Sequence, residues 1–300
     1  MPSGEEPRAS GGSWSEGAHT VRAFAEAVLL GDSLAAKRAS PRDTTGALLV
    51  DEERGRAVFI DRPARPAELA LVHVRERLPK RKDLARAEAR AATIARFAHH
   101  ELMAVELFAW ALLAFPEADR ALRRAWLVAL EEEQRHLGLY LDRLSAHGSR
   151  LSDHALNGYF WKVLPVRERD GATPLTFLCA MGLTLEQANL DFTRAYEDDF
   201  RAVDDYATAD VLKVVHEDEL GHVGLAQRFA RKIDDVARSD VERYVAHVPF
   251  PLSAARAKGK RFDRAARVRA GLDEAFIDFV RDARPYASTG DLPARDGSAP

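Results

Sequence analysis

The sequence predicts an all-α protein built around a four-helix bundle, with a long crossover between the second and third helices. Three observations carry that prediction. Apolar residues recur at helical spacing along four long stretches between about residues 83 and 235. The phrase Glu133-Gln-Arg-His136-Leu-Gly-Leu139 returns as Glu219-Leu-Gly-His222-Val-Gly-Leu225. Each copy is preceded by another glutamate in an apolar stripe: Glu101, 32 residues before Glu133, and Glu186, 33 residues before Glu219.

Residues 1–18 are rich in Gly, Ser and Glu and read as a disordered tail. A short amphipathic helix is expected over about Thr20–Leu30. An irregular stretch follows to about residue 83, where Pro63-Ala-Arg-Pro66 and Leu78-Pro79 discourage long helices. Residues 19–83 are therefore expected to form a helix and an arm lying across the bundle rather than a domain of their own.

The bundle itself is assigned to residues 84–235. In its first helix Ile94, Phe97, Ala98, Glu101, Ala104, Val105, Phe108 and Leu112 share one stripe, which ends at Phe115-Pro-Glu-Ala-Asp119. The second helix, about Ala121–Ala146, aligns Leu122, Trp126, Leu130, Glu133, His136, Leu137, Tyr140 and Leu144. Residue 117 is the midpoint of Glu101 and Glu133, so an antiparallel hairpin sets both at one height, about 24 Å from the turn.

The second hairpin repeats the plan. Pro174 opens a helix carrying Leu175, Leu178, Leu183, Glu186, Asn189 and Leu190. Its partner, about Thr208–Ile233, carries Leu212, Val215, Glu219, His222, Val223, Ala226 and Phe229, with the turn near Ala202. Residues 147–173 lack periodicity, and a connection of that length lets helices two and three run parallel, as in ferritin-like bundles. Residues 236–284 read as a C-terminal extension, with a turn at Pro249-Phe-Pro251 and one helix over about Asp263–Arg281; residues 285–300 read as a tail.

Within each phrase the Glu and His lie one turn apart and project from the same face. Burying an unpaired carboxylate costs several kcal/mol, so each stripe glutamate must be protonated, paired or bound to a cation. With 22 Glu and 10 His, chance supplies roughly 0.7 Glu-x-x-His pairs. Glu16-Gly-Ala-His19 is such a pair, in a segment with no apolar period. The other two also share the trailing hydrophobic-Gly-Leu and a preceding acid, Glu132 or Asp218. Four carboxylates and two imidazoles on facing helices suit a pair of iron or manganese ions. The expected ligands are Glu101, Glu133, His136, Glu186, Glu219 and His222, with Glu133 and Glu219 bridging. No catalytic residue is assigned beyond them. The competing reading is two buried, neutralised polar clusters.

Several other side chains are weighed against that set. Glu132, Asp218, Glu106 and Asp191 are candidates to accept the outward N–H of the metal-bound histidines. Glu106 and Asp191 lie roughly 140° around their helices from a ligand glutamate, which also suits a surface position. His216, three residues before Glu219, is either a seventh ligand or a polar helix-edge histidine. Tyr140 is either an electron-transfer or oxidation site or a core tyrosine with a bonded hydroxyl. His99 and His100 point away from the stripe and read as surface or supporting groups. Phe97, Phe108 and Leu190 suit either a substrate channel or plain core.

Composition excludes other classes. At 46% hydrophobic residues and net charge −3, with both signs interspersed, no nucleic-acid or membrane partner is expected. The single Cys179 excludes an internal disulfide and suits a reducing compartment. The N-terminus lacks a signal-like apolar run, and no run of 18 apolar residues occurs, so a cytoplasmic location is expected.

Arg62-Pro-Ala-Arg-Pro66, Phe97-Ala-His-His-Glu101-Leu, Glu132-Glu-Gln-Arg-His136, Asp218-Glu-Leu-Gly-His222-Val-Gly-Leu and Arg267-Val-Arg-Ala-Gly271 together span about residues 20–280. By these the chain resembles an uncharacterised bacterial ferritin-like family, domain of unknown function 455. The acid-Glu-x-x-His phrase also resembles bacterial di-iron monooxygenases and the small subunit of ribonucleotide reductase. The resemblance implies a di-metal carboxylate bundle and favours Glu101 over Glu106 as the first ligand. The expected function is an oxygen-dependent oxidoreductase with two Fe ions, or Mn at one or both positions. It would act on a small organic molecule and draw on an external electron donor; a homodimer is one assembly it allows. The alternative is a ferroxidase or iron-handling protein, and a third reading is a degenerate bundle kept for protein interaction.

Overall fold

The computed structural model describes residues 20–73, 78–167 and 170–285. The tail expected over 1–18, and that over 285–300 apart from residue 285, lie outside the described residues. The fold is all-α: the described residues form helices and three isolated β-bridges, with no strand.

Helix α1 (Val21–Leu30) starts where the Thr20 hydroxyl accepts from the Ala23 amide, and it buries Val21, Phe24, Val28 and Leu29. A single turn, α2 (Leu34–Lys37), is capped by Ser33. Among the described residues of the arm from Arg38 to Arg86 the helical elements are short 3₁₀ turns, at Ala67–Leu69 and Arg81–Asp83. The arm is held to the helices on either side by backbone bonds, Val58 N–H to Leu113 C=O and Ala64 N–H to the Leu29 C=O of α1, both 3.0 Å. Arg123 reinforces the seam by donating to Leu112 and Phe115 carbonyls at 2.7 and 3.0 Å while pairing with Asp51.

The long helices are α3 (Ala87–Ala114) and α4 (Arg120–Ala146), joined by the short break that Pro116 and the Asp119 cap create. Crossover residues 147–173 carry a short helix, α5 (Tyr159–Val163). Then α6 (Pro174–Ala180), opened by a Thr173–Thr176 capping box, runs through a π-helical segment, Met181–Glu186, into α7 (Gln187–Arg201). Asp204, at φ 59°, turns the chain into α8 (Tyr206–Ile233). Helix α3 packs along α4, α7 along α8, and α4 against α8. Phe97 of α3 meets Tyr140 of α4 and Tyr196 of α7 at ring distances of 5.5 and 5.0 Å, closing one end of the core. Among the described residues α3 alone is long and apolar enough to cross a membrane, and 94% of its most apolar window is buried inside the protein. It is a core helix.

The C-terminal region departs from expectation. In place of one helix there are α9 (Asp240–His247), α10 (Arg264–Arg269) and α11 (Glu274–Asp282). Gly271, at φ 82°, breaks the predicted helix in the left-handed region glycine tolerates, and Asp273 caps the restart.

The π-helical segment was also not expected. It lies against α8 so closely that a Cβ on Gly182 would sit 2.2 Å from the Ala226 Cβ. Gly182→Ala must therefore push the two elements apart. We expect a loss of about 1–3 kcal/mol, against the gain alanine usually brings to a helix. A melting temperature equal to or above that of the unaltered protein would refute this close approach.

Candidate metal centre

The two hairpins carry their buried acids to one level. Ligand atoms of Glu101, Glu133, His136 and Glu219 all lie within 4.8 Å of one another, and so do those of Glu133, Glu186, Glu219 and His222. The two groups share Glu133 and Glu219. None of the six residues is more than 5% exposed.

The inward-facing atoms lack hydrogen bonds. Both carboxylate oxygens of Glu133, Oε1 of Glu186, Oε2 of Glu219 and Nδ1 of both His136 and His222 are buried without a hydrogen bond. Glu133 lies between the two imidazoles: its Oε1 is 3.1 Å from His222 Nδ1 and its Oε2 is 3.4 Å from His136 Nδ1. Buried polar atoms are normally bonded, so a cluster of such atoms turned toward one point is an arrangement that could hold a cation.

The outward nitrogens are fully engaged, in a crossed pattern. His136 Nε2 is 2.8 Å from Asp218, and His222 Nε2 is 2.8 Å from Glu132. The acid before each motif glutamate thus holds the histidine of the other hairpin. An N–H donated outward at Nε2 leaves the Nδ1 lone pair facing the carboxylates, which is the tautomer a metal ligand requires.

Electrostatics mark the same point. Burial, followed by the charge of Glu133, pushes the Glu101 carboxyl well above the usual range. Burial and Glu219 do the same to Glu186. Burial opposes charge on His136, but Asp218 and Glu133 outweigh it and raise the imidazole to about 9. For His222, Glu132, Glu133 and Glu219 outweigh burial in the same way. Burial likewise opposes charge on Glu133, and the two imidazoles overcome it to hold the carboxyl low. Without a cation the site holds its charge balance with protons.

Other predicted residues lie elsewhere. His216 stands outside both groups, its Nδ1 3.0 Å from the Thr193 hydroxyl. Tyr140 is buried beside the site, where burial and then Glu101 push its hydroxyl pKa well up. Glu106 and Asp191 touch neither histidine, and neither is a surface group. Glu106 accepts from Arg65 at 2.7 and 2.8 Å and from Trp161 Nε1 at 3.2 Å. Asp191 accepts from Arg267 and from the Gly259 and Asp263 amides. His99, read as a surface or supporting group, is 1% exposed, with Nε2 3.1 Å from Arg65 Nη1. His100 stacks on Phe160.

Asn189 was not singled out for a role. Its amide donates to Glu219 Oε1 at 2.9 Å. It lies one turn after Glu186, where α3 has Ala104 in the matching place, so the two halves of the site differ. Phe108, Phe177, Met181, Leu225 and neighbours line an apolar cavity of ≈ 10 Å³, the room of about one water, which reaches Glu186 and His222. Of the channel candidates, Phe108 lies on this wall, whereas Phe97 and Leu190 pack in the core.

An all-α chain with paired, buried acid–histidine groups is the class defined so far. Residues 18–278 match the family described as Protein of unknown function (DUF455), and the chain belongs to that family. A similar protein is the "Uncharacterized protein" of Haemophilus influenzae (strain ATCC 51907 / DSM 11121 / KW20 / Rd), 23% identical over 210 residues, covering 68% of this chain and 71% of that one. No solved structure matches the chain at a significant level.

Proposed function

We propose that the two hairpins form a ferritin-like four-helix bundle holding two iron ions, or iron with manganese, and that the protein is an oxygen-dependent oxidoreductase acting on a small organic molecule. The observation that carries this reading is the set of buried orphan atoms on Glu133, Glu186, Glu219, His136 and His222. Two divalent ions would satisfy those atoms and neutralise the four carboxylates together, which a pair of structural salt bridges would not do. Glu101 and His136 would hold one ion, Glu186 and His222 the other, with Glu133 and Glu219 between them. When bound, a ferrous pair supplies two electrons to dioxygen.

The chain's own residues prepare the site for that task. Asp218 and Glu132 keep both imidazoles oriented with Nδ1 inward. The aromatic and aliphatic wall around Phe108 and Phe177 excludes bulk water and leaves room for a molecule of diatomic size beside Glu186 and His222.

The test is metal per chain in protein grown with supplementary iron and manganese. About two ions per chain, with repeated turnover of an organic substrate under oxygen, supports the enzyme. Uptake of many irons per chain would replace this reading with iron handling. No stoichiometric metal after anaerobic ferrous reconstitution would remove the metal centre altogether.

A pH dependence follows. Glu101, Glu186, His136 and His222 all bind protons more firmly in the folded, metal-free protein than when free in water. Ligation must displace those protons, so ferrous or manganous affinity rises with pH, by roughly tenfold per unit for each proton released. Titrations at pH 6 and pH 8 that give equal affinities would contradict this assignment.

A further inference from the structure

A large cleft lies away from the buried acids, beside α3. Its volume is ≈ 920 Å³, the scale of a small-molecule site. Four cations from four different segments converge on it: Arg62 of the arm, Arg96 of α3, Lys162 of α5 and Arg256 of the 254–256 turn. Among its described lining residues the one carboxylate, Asp61, is already 2.7 Å from Arg167.

This is unusual for the molecule. The chain has 47 acids against 44 lysines and arginines, and most of its arginines pair with a carboxylate. Arg62, Lys162 and Arg256 have no ion pair among the described residues. The cleft therefore presents three cations, Arg62, Lys162 and Arg256, that no carboxylate among the described residues neutralises, in a slightly acidic protein.

Its wall is preorganised. Trp161 is fixed by its N–H bond to Glu106, and His100 is stacked on Phe160 at 5.1 Å. The Arg256 guanidinium lies 5.6 Å from the centre of the Tyr159 ring. Leu71, Val72 and Leu78 supply an apolar side. Convergent cations beside apolar and aromatic surface suit a ligand with a charged end and an organic body.

We propose that this cleft binds a phosphate-bearing small organic molecule, its phosphates held by Arg62, Lys162 and Arg256 and its body against Tyr159 and the leucines. The site is independent of the metal reading, since none of its lining residues is among the six acids and histidines.

The test is calorimetric titration of the full-length protein with inorganic pyrophosphate, ADP and citrate. ADP is expected to bind more tightly than pyrophosphate. Arg62→Glu, Lys162→Glu and Arg256→Glu should each weaken both by about tenfold or more, with unchanged helical circular dichroism, because all three residues are exposed. Arg150→Glu, at an exposed position outside the cleft, should leave binding unaltered. Absence of binding by pyrophosphate and ADP at millimolar concentration overturns the proposal. So does an equal loss in Arg150→Glu, which would show only net-charge attraction, or binding of citrate alone.

Discussion

Glu133→Ala is expected to empty both proposed metal positions at once, whereas Glu101→Ala and Glu186→Ala should each cost about one ion of the two proposed. The difference follows from geometry. Glu133 faces His222 with one oxygen and His136 with the other, at 3.1 and 3.4 Å, and neither oxygen has a hydrogen bond. Glu101 belongs only to the His136 group and Glu186 only to the His222 group. Glu219 belongs to both, but its Oε1 is held by Asn189, leaving Oε2 as its orphan atom. Its removal should therefore weaken binding without abolishing it. Metal analysis of the four single variants, each checked for unchanged helix content, decides the matter. Two ions retained in Glu133→Ala would exclude it as the shared ligand.

The six acids and histidines were legible because their signals are local. A charged residue inside an apolar stripe is anomalous in any one helix, and a repeated phrase removes chance as its source. The acids preceding Glu133 and Glu219 were legible as candidates to support the histidines. Which acid serves which histidine was not, because the bonds cross from one hairpin to the other, and a helix face carries no information about its partner. The π-helical turn before Glu186 left no mark in the apolar pattern, since Met181–Glu186 is buried on every side. The break at Gly271 had a visible cause, but a single glycine in a helical period is an ambiguous stop.

Glu106 and Asp191 show where the spacing argument stopped. Each lies five residues past a glutamate of the buried cluster, on a side of the helix that spacing alone would leave to solvent. Both are instead almost fully buried, because the flanking segments cover that side. Arg65 of the arm reaches Glu106, and Arg267 of the C-terminal region reaches Asp191. These arginines belong to the two family-like phrases that contribute nothing to the buried cluster, Arg62–Pro66 and Arg267–Gly271. The repeat in the sequence thus extends beyond the site: the first helix of each hairpin offers one acid inward and, five residues on, one acid outward to anchor an extension.

That anchoring makes Glu106 a position where a single carboxylate carries much stability. Its side chain is fully buried, with Arg65 bonded to both oxygens, Trp161 donating at 3.2 Å and Lys37 Nζ at 3.5 Å. Lys37 in turn donates to the Val28 carbonyl at the end of α1, so the carboxylate joins α1, α2, the arm and α3. Burial already holds the Lys37 ammonium below its ordinary pKa. Removing Glu106 would leave that ammonium and a guanidinium buried without a counter-charge. Glu106→Ala should cost about 3–5 kcal/mol, a fall in melting temperature of roughly 10 °C. Glu106→Gln, which keeps shape but not charge, should cost nearly as much. If the cost is uncompensated charge rather than lost packing, adding Lys37→Met to Glu106→Gln should restore at least about 1 kcal/mol. A double variant no more stable than Glu106→Gln would show that packing dominates, and a Glu106→Ala melting curve overlying that of the unaltered protein would remove the anchor altogether. Hydrogen exchange at α1 gives an independent reading, since the arm and α1 should lose protection before α3 and α4 do.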